Sequence, residues 1–380
     1  MGKTTNLLET LCNAYFHQDP KTTAIMKELK NFHLDIVNTL FPLNDTIHKH
    51  LEELFTSLEN ILASESSLCY DYEYDRIISF GELISTTIIS DYLNMEGIEN
   101  QFIDIRKFLK TDQHYRNANI DLELSEQLCK ETFDFKTSSI FVTQGFIAGT
   151  RTNQTTTLGR EGSDYTAALL ANLLNAEDVT IRKDVPGVMN ADPKAFPDAV
   201  QIAELNYLDT IELAYSGAQI IHPKTIKPLQ NKNIPLYVRP FGDKRKPGTV
   251  IRGMSAPVDV PILILKKDQV LLTIRSRDFS FVLEEKFATI FSLLERFRIK
   301  ANLIHNSAVN LSLCVDNSWH IDEAIEALRE AGFDVMKAEN MELLTVRGYT
   351  DELWRRYARG PQVFVRQATQ STVRVVRKRE

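Results

Sequence analysis

The residues best suited to chemistry lie in a short polar loop, residues 159–164, that runs directly into an apolar helical segment. Gly162 and the glycine three positions before it allow the backbone to approach a ligand closely. Arg160 offers a planar fork of donors suited to a carboxylate or a phosphate, and Ser163 or Asp164 can cap the helix that follows. The start of that helix presents free amides and the positive end of its dipole. The loop therefore predicts a site for a small acidic molecule beside a phosphate.

Two different patterns of secondary structure surround this loop. Residues 3–98 read as mostly helical, because apolar residues recur every three or four positions, as in residues 51–62. From about residue 101, short β-rich runs alternate with amphipathic helical runs, and a strand over 178–182 follows the helix that begins near residue 163. This alternation predicts an α/β fold with a largely parallel sheet between helices.

A third pattern follows residues 254–261, which are expected to form a linker. Strand and helix patterns over 262–340 have the order βαββαβ, which is the ferredoxin-like arrangement. A second copy over 341–380 lacks its last helix and strand, so we expect the two units to complete each other. The predicted organisation is an α/β domain over 1–253, the linker, and two ferredoxin-like units of which the second is partial.

Length and composition exclude several classes of protein. A chain of 380 residues is long enough for two or more domains. Its formal net charge of −7 argues against a nucleic-acid-binding protein, which usually carries a basic face. The 4 cysteines show neither CxxC nor Cys/His spacing, so we expect no disulfide framework and no metal held by protein side chains. No apolar run predicts a signal peptide or a membrane span, and we expect a cytoplasmic protein.

Further motifs accompany the polar loop in one order. They are Ser79-Phe-Gly-Glu82, Phe141-Val-Thr-Gln-Gly-Phe146, Lys183-Asp-Val-Pro-Gly187, Ala191-Asp-Pro-Lys194 and Gly217-Ala-Gln-Ile-Ile-His-Pro223. With residues 159–164, these motifs make the chain resemble the aspartate kinases of the amino acid kinase family. The two ferredoxin-like units look like ACT domains, the small amino-acid-sensing modules of biosynthetic enzymes. The resemblance covers nearly the whole chain, and several spaced motifs in one order are more specific than any single motif.

The resemblance implies an aspartate kinase, which transfers a phosphoryl group from ATP to the side-chain carboxylate of L-aspartate with Mg²⁺. The product, 4-phospho-L-aspartate, begins lysine, threonine and methionine biosynthesis in this family. A carboxylate acceptor needs no general base, because free aspartate titrates at about 3.9. The alternatives are another amino acid kinase, such as an acetylglutamate or glutamate 5-kinase, and a catalytically impaired pseudokinase that senses an amino acid through its ACT units.

The motif match also implies roles for particular residues around the substrate. Arg160 is expected to hold the α-carboxylate of aspartate, and Glu82 its amino group. On composition alone Glu82 would be an ordinary exposed helix residue, and only its flanking motif favours the functional interpretation. The implied catalytic residues are Arg160, Gly162 and Asp164. The implied substrate-binding residues are Thr5, Glu82, Phe146, Arg160 and Ser163.

The loop over residues 183–194 begins at the C-terminal end of a predicted strand, where ligands bind in open α/β sheets. The motif match assigns this loop to adenine, ribose and phosphates. A lysine common in the family is replaced by Gln219, and Lys224 is expected to supply the charge instead. The implied nucleotide-binding residues are Lys183, Asp184, Met189, Lys194 and Lys224.

The ACT-like part predicts an effector site and a homodimer. Lysine or threonine is the expected effector, although Lys300-Ala-Asn302 stands where lysine-sensing relatives carry an aspartate. The alternative is an ACT pair that serves only as a dimer interface. The effector residues that we predict are Arg277, Asp278, Phe279, Phe281, Ala301 and Asn302.

One feature of the family is missing before Met1. Aspartate kinases open with a strand that carries Lys-Phe-Gly-Gly-Thr-Ser, whose lysine neutralises charge on the transferred phosphate. We therefore expect the sequence to be an N-terminally incomplete version of a normal enzyme. A chain that is naturally this short would be expected to show weak or no catalysis.

Overall fold

The computed structural model describes every residue except 42–44, 219–220, 244, 255–257, 259, 278–283, 354, 357–361 and 380. The chain divides into two compact units. Unit 1 contains Met1–Ile181 and Ile221–Leu236, and unit 2 contains Arg182–Ile220 and Tyr237–Glu380. The domain boundaries expected from the sequence, after residues 253, 261 and 340, stay a prediction.

Unit 1 begins with four helices, as the apolar periodicity predicts. They are α1 (Thr4–Phe16), α2 (Thr22–Leu40), α3 (Asp45–Ala63) and α4 (Tyr70–Met95). In α3 the buried residues Ile47, Leu51, Phe55 and Leu58 recur every three or four positions and form one stripe. This stripe joins a core that also includes apolar residues of α1, α2 and α4. Burial of that stripe explains why the segment is a helix.

The α/β part of unit 1 follows. Its elements are β1 (Gln101–Ile103), β2 (Lys110–Thr111), α5 (Leu122–Thr132), β3 (Phe141–Thr143), β4 (Ile147–Thr150), β5 (Thr155–Thr157), α6 (Gly162–Leu174) and the first part of β6 (Val179–Lys183). The pairs β1–β3 and β2–β4 are parallel, and β4–β5 is antiparallel. The predicted alternation of strands and helices is confirmed, although the strands are short.

Unit 2 starts within β6 and continues through β7 (Glu204–Asn206) and α7 (Tyr207–Ser216). The chain then returns to unit 1 as α8 (Pro223–Lys232), and re-enters unit 2 through β8 (Leu236–Pro240) and β9 (Thr249–Arg252). Strand β7 pairs in parallel with β9. The carbonyl group of Lys183 at the end of β6 accepts a hydrogen bond from the amide of Phe241 at 2.8 Å.

The rest of unit 2 is an antiparallel sheet with helices. Its elements are β10 (Ile262–Ser276), α9 (Glu284–Arg296), β11 (Ala301–Asn306), β12 (Asn310–Asp316), α10 (Ile321–Glu330), β13 (Phe333–Arg347), α11 (Asp351–Leu353), β14 (Val363–Ala368) and β15 (Thr372–Lys378). The strand order is β11-β12-β10-β13-β15-β14. Helices α9 and α10 pack on one face of β10, β12 and β13 through a core that includes Leu272 and Leu313.

Two long strands serve both ferredoxin-like units. Strands β10 and β13 have 15 residues each, and their pairing shifts register between Lys266 and Leu271. Residues 271–276 of β10 complete the first ferredoxin-like unit with β11, β12 and the start of β13. Ile262 and its neighbours pair with the end of β13, which also pairs with β15. The second ferredoxin-like unit thus takes its fourth strand from the start of β10, and the two ferredoxin-like units complete each other.

Candidate active site

The polar loop ends in an unusual helix start. Helix α6 begins at Gly162, and its N-cap residue, Glu161, has a left-handed backbone with a φ of 54°. Ser163 and Asp164 therefore lie inside the first helical turn, and the expectation that one of them caps the helix is wrong. The reason is that the left-handed turn at Glu161 starts the helix before Ser163 is reached. The carboxylate of Asp164 still lies where the helix dipole favours negative charge.

The turn between β3 and β4 packs directly against this helix start. A Cβ atom on Gly162 would lie 2.7 Å from Cδ2 of Phe146, and one on Gly145 would lie 3.0 Å from Oγ of Ser163. These approaches require glycine at both positions. Phe146 has a φ of 68°, and its amide donates to Oγ1 of Thr166 in α6 at 3.0 Å. The structure thus brings Phe146, Gly162 and Ser163 together, and their roles in substrate binding and transfer stay a prediction.

Glu82 lies on α4, one helical turn before Thr86. Oγ1 of Thr86 donates to the carbonyl oxygen of Glu82 at 2.7 Å and accepts from Nε2 of Gln144 at 3.0 Å. Gln144 precedes Gly145, which packs on the start of α6. The Glu82 side chain is half-buried, and burial raises the pKa of its carboxyl group. A cationic partner would stabilise the ionised carboxylate there.

Arg160 and Ser163 offer their polar groups to solvent, since both residues are exposed. Among the residues that the structure describes, no side chain or carbonyl group forms a hydrogen bond or ion pair with the guanidinium of Arg160. Thr5 is also exposed, on α1, whereas its neighbour Thr4 is buried. A Cβ atom on Gly81 would lie 3.5 Å from Cγ2 of Thr4. The side of α1 that packs near the Glu82 helix is therefore the side of Thr4.

Helices α6 and α8 are tied together at their starts. Oε2 of Glu161 accepts a hydrogen bond from the amide of His222 at 2.8 Å, and Nδ1 of His222 accepts from the amide of Lys224 at 3.2 Å. Nζ of Lys224 forms a hydrogen bond with Oδ1 of Asn117. The predicted cation at Lys224 thus lies in unit 1. The sequence analysis assigned no role to Glu161, and nothing in its residue type signals this hydrogen bond to His222.

The remaining predicted nucleotide residues lie in unit 2. They are Lys183, Asp184, Met189 and Lys194. Their loop is held at Gly187, where a Cβ atom would lie 2.7 Å from Oγ1 of Thr249. The amide of Val188 donates to the same hydroxyl at 2.8 Å. The middle of the loop is therefore fixed, while the side chains of Asp184 and Lys194 are exposed.

The same loop is joined to the antiparallel sheet of unit 2. Nδ2 of Asn190 donates to the carbonyl group of Pro261 at 2.8 Å, and the amide of Leu263 in β10 donates to the carbonyl group of Asn190 at 2.8 Å. Next to these bonds, Ala191 and Phe196 pack with apolar residues of β10 and β13 in a small core. A change in the sheet would therefore reach the loop that carries the predicted nucleotide residues.

The predicted effector residues have different surroundings. Asp278, Phe279 and Phe281 lie outside the described residues. Arg277 is exposed, and its Nε lies 3.3 Å from Oδ1 of Asp334. Ala301 is half-buried at the start of β11.

Asn302 belongs to a buried polar network. It is 8% exposed, and its Nδ2 donates to Oε1 of Gln269 at 2.8 Å and to Oδ1 of Asp316 at 2.9 Å. Its Oδ1 accepts from Nζ of Lys266 at 2.8 Å. The side chain of Asn302 is therefore already engaged within the sheet.

Within the part of the chain that the structure describes, no three side chains of the types His, Cys, Asp or Glu converge as a metal site would require. No described helix is both long and apolar enough to cross a bilayer. The cytoplasmic location expected from the sequence stays a prediction.

Residues 4–240 match the model of the amino acid kinase family, and the chain belongs to this family. Curated relatives are aspartokinases. The lysine-sensitive aspartokinase 3 of Escherichia coli K12 is 35% identical over 274 residues, which cover 70% of this chain and 60% of the relative. The chloroplastic aspartokinase 2 of Arabidopsis thaliana is 32% identical over 335 residues, which cover 83% of this chain and 59% of the relative. The chain thus spans about three fifths of the length of these relatives.

Solved structures of aspartokinases have the same fold. The complex of E. coli aspartokinase III with aspartate and ADP in the R-state matches with a TM-score of 0.82 and 26% identity, over 100% of this chain and 88% of that chain. The T-state complex of the same enzyme with lysine and aspartate matches with a TM-score of 0.80 and 26% identity, over 99% and 87%. The aspartate kinase of Clostridium acetobutylicum, at 23% identity and a TM-score of 0.79, agrees in fold.

Proposed function

We propose that this chain is an aspartate kinase, which transfers the γ-phosphoryl group of ATP to the side-chain carboxylate of L-aspartate and so forms 4-phospho-L-aspartate, the first step towards lysine, threonine and methionine. The observation that carries the proposal is the exposed guanidinium of Arg160, which has no partner among the described residues and stands at the start of α6. The similarity to an aspartokinase complex with aspartate and ADP supports the same assignment.

Substrate binding needs two opposite charges. The guanidinium of Arg160 suits the α-carboxylate of aspartate, because its fork can donate two parallel hydrogen bonds. The carboxylate of Glu82 suits the α-ammonium group, which would offset the cost of its burial. Phe146, Ser163 and Thr5 complete the proposed substrate site.

The reaction needs no proton transfer. A side-chain oxygen of the substrate attacks the γ-phosphorus, and the bond from this phosphorus to the bridging oxygen breaks as ADP leaves with the electron pair. Amides of the first turn of α6 stabilise the negative charge that develops, with Gly162 allowing close approach. Asp164 organises the transfer centre.

Binding of ATP is assigned to the loop of unit 2, and Lys224, in unit 1, stays an expectation from the sequence. Lys183, Asp184 and Met189 would hold the base and ribose, and Lys194 the phosphates. Mg²⁺, bound with the nucleotide, supplies charge neutralisation.

We also propose that the ACT-like units pair two chains and bind lysine or threonine. The names of relatives support lysine, because one is called lysine-sensitive and its T-state complex contains lysine. The hydrogen bonds of Asn190 offer a route from the sheet to the nucleotide loop. Sedimentation with and without lysine or threonine tests the pairing, and calorimetry tests the binding.

The activity is tested by ATP-dependent hydroxamate formation from L-aspartate and hydroxylamine, with release of ADP measured in parallel. We expect turnover with L-aspartate and none with L-glutamate or N-acetyl-L-glutamate. Turnover with either of the latter would favour the other amino acid kinases. Effector binding by a folded chain that turns over no acceptor would favour the pseudokinase.

The Arg160 assignment is tested by Arg160→Gln, with Arg151→Gln as the matched control. Arg151 is also exposed, but it pairs with Asp121 at 2.5 Å. We expect Arg160→Gln to raise the KM for aspartate about tenfold or more, because hydrogen bonds to charged groups contribute about 1.5–3 kcal/mol. The control should leave this KM unchanged, and equal effects of the two substitutions would contradict the assignment.

A further inference from the structure

A carboxylate is buried beneath the Arg160 loop. Asp75, on α4, is 0% exposed. Its Oδ2 accepts from the amide of Thr157 at 2.8 Å and from the amide of Arg116 at 2.9 Å, and its Oδ1 accepts from Oγ1 of Thr157 at 2.7 Å. Burial of a carboxylate is costly unless hydrogen bonds satisfy it. All three of these bonds reach segments that border the polar loop.

The first segment ends just before Arg160, the residue proposed to bind the substrate carboxylate. Thr157 is the last residue of β5, three positions before Arg160. Asp75 and Glu82 are seven positions apart on α4, which is about two helical turns, so their side chains leave the helix on the same face. One helix thus carries both the proposed ligand of the substrate ammonium group and the anchor of the loop that bears Arg160.

The second segment, residues 116–118, is pinned from both sides. The amide of Arg116 donates to Asp75, and the amide of Ala118 donates to the carbonyl group of Thr157 at 3.0 Å. Gly159 has a φ of 78°, and a Cβ atom there would lie 3.0 Å from the carbonyl oxygen of Arg116. The backbone immediately before Arg160 is therefore packed against a segment that Asp75 also holds.

We propose that Asp75 is a positioning residue, which sets the place of the Arg160 guanidinium relative to Glu82 through Thr157 and Arg116. This inference rests on the proposed binding of aspartate by Arg160 and Glu82. An apolar side chain at this position would leave the amides of Thr157 and Arg116 without their acceptor. A buried carboxylate with three acceptor contacts instead fixes the position of two backbone segments.

The position of Arg160 decides how well both ends of one amino acid are bound. A displacement of about 1 Å in a substrate-positioning group can change a rate about 100-fold. Loss of the Asp75 contacts should therefore weaken aspartate binding and leave ATP binding unchanged. A purely structural role would lower thermal stability without separating the two substrates.

The first test compares Asp75→Asn with Asp75→Ala. The asparagine can accept both amides with its carbonyl oxygen and donate its amide group to the hydroxyl of Thr157, so it preserves the geometry. We expect Asp75→Ala to raise the KM for aspartate about tenfold or more, with the KM for ATP changed by less than about twofold. Asp75→Asn should restore the KM for aspartate to within about twofold of the unsubstituted chain. An unchanged aspartate KM in Asp75→Ala would overturn the proposal.

A second pair of variants covers the case in which Asp75→Ala does not fold. Thr157→Ser keeps the hydroxyl donor and Thr157→Val removes it. We expect only the valine variant to raise the KM for aspartate. Equal KM values for the serine and valine variants would overturn the proposal.

Hydrogen exchange separates failure of this inference from failure of the proposed function. If the unsubstituted chain shows no aspartate-dependent turnover, the proposed function fails, but the anchoring can still be measured. Faster exchange of the amides of residues 157–160 in Thr157→Val than in Thr157→Ser would support the anchoring role. Equal exchange in the two variants would overturn it, whatever the activity.

Discussion

Oε2 of Glu161 accepts a hydrogen bond from the amide of His222 at 2.8 Å. This bond joins the residue before α6 to the residue before α8, and Glu161 holds a left-handed backbone to make it. A left-handed conformation costs a non-glycine residue about 1–2 kcal/mol. Glu161 therefore combines an unfavourable backbone with a favourable tether between two helix starts at the candidate site.

Two substitutions of Glu161 should differ in their effect on the free energy of unfolding. Glu161→Ala loses the bond and keeps the backbone strain, so we expect the free energy of unfolding to fall by about 1 kcal/mol. Glu161→Gly also loses the bond but relieves the strain, so its stability should stay close to that of the unsubstituted chain. Thermal unfolding of both variants checks this, and an alanine variant as stable as the glycine variant would contradict it.

Gly145 should not tolerate a side chain. A Cβ atom there would lie 2.9 Å from Cα of Ser163, which is backbone and cannot rotate away. We expect Gly145→Ala to lower the free energy of unfolding by about 1–3 kcal/mol and to raise the KM for aspartate, because the start of α6 must shift. Gly242→Ala is the matched control, since a Cβ atom at Gly242 meets nothing within 4 Å. Similar losses in the two variants would count against this reading of the packing.

The buried carboxyl group of Asp75 should make the free energy of unfolding depend on pH. Burial raises the pKa of its carboxyl group from 3.8 to about 6, although the amide of Arg116 and the side chain of Thr157 oppose this. The folded chain therefore binds this proton more tightly than the unfolded chain. As pH rises from below 3.8 through about 6, the unsubstituted chain should lose stability relative to Asp75→Asn, in total by about 3 kcal/mol.

Denaturant unfolding of both proteins at pH 4 and pH 7.5 measures this difference. The Asn variant is the suitable reference because it keeps hydrogen-bonding groups in the same positions but does not titrate. A gain in relative stability of the unsubstituted chain at pH 7.5 would show that hydrogen bonds to the carboxylate outweigh its burial.

Asn302 should be important for the sheet itself. Its side chain forms hydrogen bonds with Gln269, Asp316 and Lys266, and its removal takes a bond from the buried side chain of Gln269. We expect Asn302→Ala to lower the free energy of unfolding by about 1–3 kcal/mol. Asn306→Ala, an exposed position in the same strand, is the control and should change stability little. Thermal unfolding that fails to separate the two variants would contradict the network.

Much of the fold was predictable because its signals are local. Helix α8 spans Pro223–Lys232, since proline suits the first helical position and Asn233 ends the helix. The four initial helices follow from their apolar stripes. The order βαββαβ of the first ferredoxin-like unit also follows from the pattern of residues.

The tertiary structure decided which segments meet. The hydrophobic pattern of the sequence does not indicate that β10 and β13 each belong to both ferredoxin-like units. The pairing of these two strands depends on residues that are far apart in the chain. Nothing about Asp75 as a residue type distinguishes it from an exposed helix residue, until three donors 41 and 82 positions away are placed around it. The left-handed turn at Glu161 is likewise held by a bond to a residue 61 positions away.

The sequence by itself determined the family, the kinds of element and the motifs that carry the chemistry, because residue type and spacing along the chain are enough for these. Only the tertiary structure decided how the substrate loop is held and where the helix that begins it starts. The physical reason is that a buried charge or a strained backbone persists only when groups distant in sequence supply its hydrogen bonds.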